Sequence, residues 1–238
     1  MNRLLLTLAL LVTLHATPAR AEPVDLELVF AADGSGSIDD EELRLQRRGW
    51  AEALASKDVL DRIRSGMLGA IAVAYMEWGG PDSQVLIVDW HVIRDEASAR
   101  VFGDKLLAAP RGARGYNSIS NAIDFSVRLV EQNTHEGTRK VIDVSGDGPN
   151  IGGRSLEEAR SDAIAKGFTI NALAIEIGRS AYSGPGGQRL SEYYEQYVIG
   201  GPGAFVEVAD ATRPFAVAAR RKLVTEVAGG PARRAAAR

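Results

Sequence analysis

The chain has 238 residues, no cysteine, and 28 Lys and Arg residues against 31 Asp and Glu residues, which gives a formal net charge of −3. This balance excludes a basic surface of the kind that binds nucleic acid or an anionic membrane. The absence of cysteine excludes disulfides, and the length fits one domain with a substantial core.

The N-terminus is typical of a secretory signal peptide. Arg3 precedes an apolar run over residues 4–14, and the small-x-small sequence Ala-Arg-Ala follows at residues 19–21. We therefore expect residues 1–21 to be removed and an exported, periplasmic protein to begin at Glu22. No later apolar segment approaches membrane-spanning length, so no membrane insertion is expected.

The first half of the mature sequence alternates apolar strands with amphipathic segments. Residues 79–83 are rich in turn formers and join two strands, which predicts a hairpin. The predicted elements in chain order are strand 26–30, helix 40–63, strands 68–78 and 84–93, and helix 95–108.

The second half continues the alternation, which predicts an α/β fold: a Rossmann-like open sheet, mainly parallel, with one antiparallel edge hairpin and helices on both faces. Residues 22–230 are predicted to form one domain, followed by a flexible tail at 231–238. A glycine-rich surface excursion over 178–203 is interrupted by a short helix at 191–197. The remaining elements are helices 118–132, 155–166 and 214–227 and strands 140–144, 168–175 and 204–208.

The first strand ends in a run of oxygen-bearing side chains. Asp33, Ser35 and Ser37 occupy alternate positions, separated by glycines. Alternate residues of an extended segment point the same way, so these three side chains can aim at one point. Three such oxygens suit a small hard cation such as Mg²⁺.

Two further segments follow strands or open helices in a way that brings polar groups to the same edge. One is the glycine-rich loop at 112–120, and the other is the strand end at 144–150, which sets Asp147 between glycines. In an open parallel sheet, ligands bind at the carboxyl ends of the strands, near the point where strand order reverses. The three segments are therefore expected to meet.

The order of these motifs resembles the von Willebrand factor A (VWA) domain family, and in particular its exported bacterial single-domain members. In that family a strand ending in Asp-x-Ser-x-Ser, a Thr from a later loop and an Asp-Gly from a later strand end form a metal-ion-dependent adhesion site. Asp33, Ser35, Ser37 and Asp147 match the family's positions, and Asn117 stands where the Thr is expected.

The resemblance implies a binding module rather than an enzyme. A divalent cation, Mg²⁺ or else Mn²⁺ or Ca²⁺, would hold a protein partner through an Asp or Glu carboxylate of that partner. An amide oxygen can also ligate a hard cation, so Asn117 is compatible with the site, and Ser118 is an alternative ligand if the loop shifts. The oligomeric state is left open.

Three other interpretations stay open at this point. The metal site can be vestigial, with the 112–120 loop only capping the following helix. A Mg²⁺-dependent hydrolase can use Asp33, although Ser35 stands where a haloacid-dehalogenase-type phosphotransferase has a second Asp. A dinucleotide-binding enzyme is disfavoured because Asp33 and Asp39 would repel a pyrophosphate.

Several charged residues are given roles by their positions. Asp143, inside an apolar strand, needs a buried partner such as an Arg or a backbone cap, or else supports the metal. Glu77 is expected to be solvated, as is the helical cluster that contains Arg47. Three loop arginines are expected to form a cationic rim that attracts an acidic partner: Arg111, Arg114 and Arg154.

Overall fold

The computed structural model describes residues 21–230, so the predicted signal peptide (apart from Ala21) and the predicted tail at 231–238 lie outside the described residues. The strands are β1 Glu22–Val24, β2 Leu26–Asp33, β3 Ile71–Trp78, β4 Gln84–Ile93, β5 His135–Gly137, β6 Lys140–Gly146, β7 Phe168–Glu176 and β8 Val206–Asp210. The helices are α1 Asp40–Leu54, α2 Lys57–Arg64, α3 Glu96–Ala108, α4 Ile119–Gln132, α5 Leu156–Ala165, α6 Leu190–Tyr193 and α7 Phe215–Val227.

Six strands form the central sheet in the order β4-β3-β2-β6-β7-β8. All neighbours are parallel except β3 and β4, which form the antiparallel hairpin at one edge. This confirms the predicted fold class. The short strands β1 and β5, which the sequence did not predict, pair with each other outside the sheet.

Helices cover both faces because each strand of the sheet interior is apolar on both sides. Alternate residues of β2 divide between the two cores, with Phe30 on one side and Ala31 on the other. The first core is closed by α1, α2, α3 and α7, and the second by α4, α5 and α6. Within the described residues no helix is both long and apolar enough to cross a membrane.

Two predicted elements are wrong in detail. The single helix at 40–63 is two helices, because Ser56 is extended and its hydroxyl donates to the carbonyl of Ala53 at 2.7 Å, which competes with helix continuation. The excursion at 178–203 does not lie wholly on the surface. Leu190, Tyr194 and Val198 are buried in the second core, at a spacing that places them on one helical face.

Candidate metal-binding site

The candidate site lies where the strand order of the sheet reverses. The chain leaves β2 toward β3 on one side, and β6 returns to pair with β2 on its other side. Asp33 is the last residue of β2, and Asp147 directly follows β6. Both acids therefore stand at the carboxyl ends of adjacent parallel strands, which is the position where open α/β sheets bind ligands.

The three segments are called here the first or serine loop (residues 33–37), the second loop (112–120) and the third loop (144–150 and the two residues after it). Side chains of the serine loop form a chain of hydrogen bonds that runs from the interior to solvent. The amide of Ser35 donates to Asp33 Oδ1 at 2.8 Å, and the hydroxyls of Ser35 and Ser37 are 3.0 Å apart. The Ser37 hydroxyl in turn donates to Asp147 Oδ1 at 2.8 Å. Asp33 and Ser35 are fully buried and Ser37 is exposed, so the predicted residues of the first and third segments do meet, at the edge of the molecule.

A capping box at Asp39 fixes the start of α1, the helix that follows this loop. Asp39 caps α1 by accepting the amides of Glu41 and Glu42, and the Glu42 carboxylate accepts the amide of Asp39 at 2.9 Å. This capping box satisfies amides that α1 leaves unpaired at its start. It fixes the direction in which the chain leaves the serine loop.

Asn117 lies beside the turn that carries Asp147. The side chain of Asn117 is buried, and its Nδ2 is 2.5 Å from the position that a β-carbon would occupy on Gly148. The Asn117 carbonyl accepts the amides of Ile151 at 2.8 Å and Gly152 at 3.1 Å, which ties the second loop to the third. Four of the five sequence-predicted residues are thus linked by hydrogen bonds, and Asn117 lies beside the glycine that follows Asp147.

Ser118 is not placed to substitute for Asn117. Its hydroxyl donates to the Gly152 carbonyl at 2.9 Å and lies 2.8 Å from Asn121 Oδ1, so it holds the third loop. The N-terminus of α4 is capped instead by Asn150, whose Oδ1 accepts the amide of Ser120 at 3.0 Å. The N-cap residue of α4, Ser118, therefore does not cap the helix with its own side chain.

The electrostatics of the site come from burial of an acid beside a second acid. The pKa of Asp33 is raised to about 7, first by burial and then by the negative charge of Asp147, while hydrogen bonds from Ser35 and from the Asp147 backbone oppose the rise. Among the described side chains, Asp33 Oδ2 has no hydrogen-bond partner, and neither acid pairs with a Lys or an Arg. A buried carboxylate oxygen without a hydrogen-bond partner is costly.

The donor set narrows the class of metal. Within residues 21–230, no cluster of three or more His, Cys, Asp or Glu side chains is placed to hold a metal. The site offers two carboxylates together with neutral hydroxyl and amide oxygens. Such a set of oxygen ligands suits a hard divalent cation. Softer metals prefer nitrogen and sulfur ligands, which this set does not include.

Tyr194 is a residue of the site that the sequence did not indicate. Its hydroxyl donates to the Gly148 carbonyl at 3.0 Å, and burial followed by the charge of Asp33 raises its pKa well above the ordinary value. A β-carbon on Gly146 would lie 2.9 Å from this hydroxyl and 3.0 Å from Asp33 Oδ2, so Gly146 permits both groups to approach. The sequence placed residue 194 in a predicted surface excursion, so it did not indicate this burial.

The predicted cationic rim is wrong for two of its three members. Arg111 donates to the carbonyls of Gly34 at 3.0 Å and Ile38 at 2.8 Å and pairs with Asp40, so it braces the serine loop. Arg154 pairs with Asp124 at 2.7 Å and Asp162 at 2.8 Å. Their charges are satisfied within the domain.

Glu77 and Arg47 are buried rather than solvated. Glu77 lies near the end of β3, and its side chain is buried. Arg47 Nη2 lies 2.6 Å from Glu77 Oε1, and the Gly112 amide donates to Glu77 Oε2 at 2.8 Å. Arg47 also donates to backbone carbonyls at 106, 109 and 110. The Arg47–Glu77 pair therefore holds the start of the second loop in place through these backbone contacts. Each of the two buried charges has the other as its partner.

Asp143 has a buried partner, and the partner is a lysine. Lys222 Nζ lies 2.8 Å from Asp143 Oδ1, on the face of the sheet that α7 covers. Asp33 lies on the opposite face of the sheet. It follows Ala31 by two residues in β2, so both point to the same face, and Ala31 packs in the second core. The structural interpretation of Asp143 is therefore the one that the contacts support, and the arginine expected there is wrong.

The strand order, the two layers of helices and the loop positions define a von Willebrand factor A fold, and solved structures share it. A pilus adhesin, SpaC from Lactobacillus rhamnosus GG in its open conformation, superposes with a TM-score of 0.59 at 14% identity over 88% of this chain and 30% of that chain. A von Willebrand factor type A protein from Catenulispora acidiphila has a TM-score of 0.55 at 14% identity, over 86% and 42%.

A third similar structure is proximal thread matrix protein 1 from the mussel byssus, described with a zinc-occupied MIDAS motif. Its TM-score is 0.55 at 19% identity, over 87% of this chain and 45% of that chain. The present chain thus spans less than half the length of each of these proteins. The chain belongs to the family described as "Protein of unknown function (DUF1194)", whose model matches residues 23–231. No curated protein matches it.

Proposed function

We propose that this protein is an exported VWA binding module that holds a protein partner through a divalent metal ion. The observation that carries the proposal is the fully buried Asp33, whose Oδ2 has no partner among the described residues and stands near the second acid Asp147. A divalent cation would neutralise both acids. In a structure without it, the burial of Asp33 opposes folding at neutral pH.

The residues that would hold the ion are Asp33, Ser35, Ser37, Asn117 and Asp147. A bound Mg²⁺ would supply open coordination positions at which an Asp or Glu carboxylate of a partner can replace water. Asp33 and Asp147 would supply the charge that retains the ion. The serine hydroxyls would complete the set once their present hydrogen bonds to each other and to Asp147 are exchanged.

The test is metal-dependent stability. At a hundredfold excess over the dissociation constant, Mg²⁺ or Mn²⁺ is expected to stabilise the wild type by about 2.7 kcal/mol relative to EDTA. For a domain of this size, that corresponds to a rise in Tm of roughly 5–10 °C. Asp33→Asn should lose the rise, and in EDTA at pH 8 it should melt higher than the wild type, because it removes a buried charge.

Asp104→Asn is the matched control, since Asp104 is exposed on α3. Its Tm should rise with metal as the wild type does. Equal shifts in wild type and Asp33→Asn would contradict the placement of the site. A Mg²⁺-dependent phosphatase activity lost in Asp33→Asn would instead favour the hydrolase alternative.

Asn117→Thr tests the one departure from the VWA pattern. Threonine restores the hydroxyl that the VWA pattern has at this position, and it should therefore bind the ion more tightly. We expect calorimetry with Mg²⁺ and Mn²⁺ to give a lower dissociation constant for Asn117→Thr and a higher one for Asn117→Ala. Unchanged affinity in both variants would show that Asn117 does not contact the ion and would leave the other four residues as the site.

Export is part of the proposal and is supported by the sequence at residues 1–21. The domain has no cysteine, so an oxidising compartment imposes no disulfide on it. We place the protein in the periplasm on this basis. The proposal is of a binding role rather than an enzymatic one.

A further inference from the structure

An apolar groove lies directly beside the candidate metal site. It has a volume of about 390 Å³ and runs between α1 and the start of α7, with Asp147 in its wall. Asp147 therefore belongs to both the groove and the site. The large apolar side chains that line the groove include Ile38, Leu45, Ile175, Ile177 and Phe215.

The groove is formed by close packing of the two helices and left open at the surface. A β-carbon on Gly49 would lie 2.6 Å from Phe215 Cδ1, so α7 can start against α1 only because residue 49 is a glycine. Above this contact, Leu45 is 52% exposed and Ile177 is 51% exposed. Large apolar side chains that converge on one exposed concave surface are typical of a binding site.

Apolar exposure continues on the loops that carry the candidate ligands. Tyr116, next to Asn117, is 76% exposed, and Ile151, on the third loop, is 66% exposed. Arg111 and Arg154 contribute no free charge there, since both pair with acids of the domain. Of the three predicted rim arginines, Arg114 stays exposed, so the described side chains around the proposed metal include large apolar groups beside this one arginine.

The charges at the groove limit what can enter it. Glu42, Glu52 and Asp147 line it, together with Arg48. An acidic side chain would meet like charge in the groove, whereas an uncharged apolar side chain would cover Leu45 and Ile177. The carboxylate of a partner is therefore directed to the metal and not to the groove.

We propose that the groove receives a large apolar side chain from the same partner segment whose carboxylate binds the metal. The recognised feature is a protein segment in which one Asp or Glu is accompanied by a Leu, Ile, Met or Phe, with no second acid at the groove position. This inference rests on the proposed function. It narrows the earlier expectation of an acidic partner surface to one acidic side chain that is accompanied by an apolar one.

The experiment is selection from a displayed peptide library with one fixed Asp and randomised residues on both sides. The protein is immobilised in Mg²⁺ and bound peptides are eluted with EDTA. We expect enrichment of a large apolar residue at one offset from the Asp. A synthetic peptide of that sequence should bind Leu45→Ser about tenfold more weakly than wild type, as expected for partial loss of one buried apolar contact.

Leu107→Ser is the matched control, because Leu107 is also a helical leucine with 49% exposure, on α3 and away from the groove. It should bind the peptide as the wild type does. EDTA-eluted peptides without an apolar preference, or equal binding by Leu45→Ser, would overturn the groove assignment and leave the metal proposal intact. Peptides retained in EDTA and by Asp33→Asn, or no EDTA-eluted peptides at all, would count against the metal proposal itself.

Discussion

Replacing Lys222 with Met is expected to destabilise the protein by about 3–5 kcal/mol, because the change leaves two acids buried without their cation. Lys222, Asp143 and Glu226 are all fully buried. The Lys222 ammonium lies 2.8 Å from Asp143 Oδ1 and 3.0 Å from Glu226 Oε1. It therefore joins α7 to β6 at the centre of one core.

The pH dependence of this loss follows from the pKa of Asp143. Burial raises that pKa well above its ordinary value, the charge of Glu226 raises it further, and Lys222 opposes the rise. Without Lys222 the rise is unopposed. A carboxyl whose pKa is raised in the folded state binds more protons folded than unfolded, so it stabilises the fold at low pH and loses that effect as pH increases.

The loss caused by Lys222→Met should thus be smaller at pH 5 than at pH 8. Urea unfolding at the two pH values measures it. Lys166→Met is the control, because Lys166 forms an exposed pair with Glu131 and its removal should cost no more than about 1 kcal/mol. If Lys222→Met were as stable as this control, the buried triad would not hold α7 to the sheet.

Replacing Arg47 with Met is expected to cost a similar 3–5 kcal/mol or so, and it should also weaken the candidate metal site. Arg47 pairs with the buried Glu77 at 2.6 Å and donates to the carbonyl of Pro110 at 2.9 Å. Glu77 in turn holds the amide of Gly112. Loss of Arg47 leaves Glu77 charged in the core and releases the base of the second loop.

Two measurements separate these consequences. Urea unfolding should give the loss of stability, and adding Glu77→Gln to Arg47→Met should recover part of it by removing the stranded charge. Calorimetry with Mn²⁺ should show weaker binding in Arg47→Met. Arg100→Met, which breaks an exposed pair with Glu96, is the control for both. Unchanged Mn²⁺ affinity in a destabilised Arg47→Met would limit the pair to stability alone.

The sequence by itself determined the fold class and the order of the loops at the site. Apolar strands of eight or so residues, alternating with amphipathic helices, can bury their surface only as a covered, mainly parallel sheet. Asp33, Ser35 and Ser37 follow one strand and Asp147 follows another, and parallel strands put those ends at one edge. Local pattern and sheet geometry were enough to expect that they meet.

Only the tertiary structure decided which charged residues are buried and what faces the site. Glu77, Arg47 and Lys222 are charged residues, and such residues are usually solvated. Their burial depends on partners that are 30 or more positions away in the sequence. The groove beside Asp147 depends likewise on how α7 packs against Gly49. Such long-range contacts leave no local periodicity, since a side chain's partner is set by the packing of whole elements rather than by its neighbours in sequence.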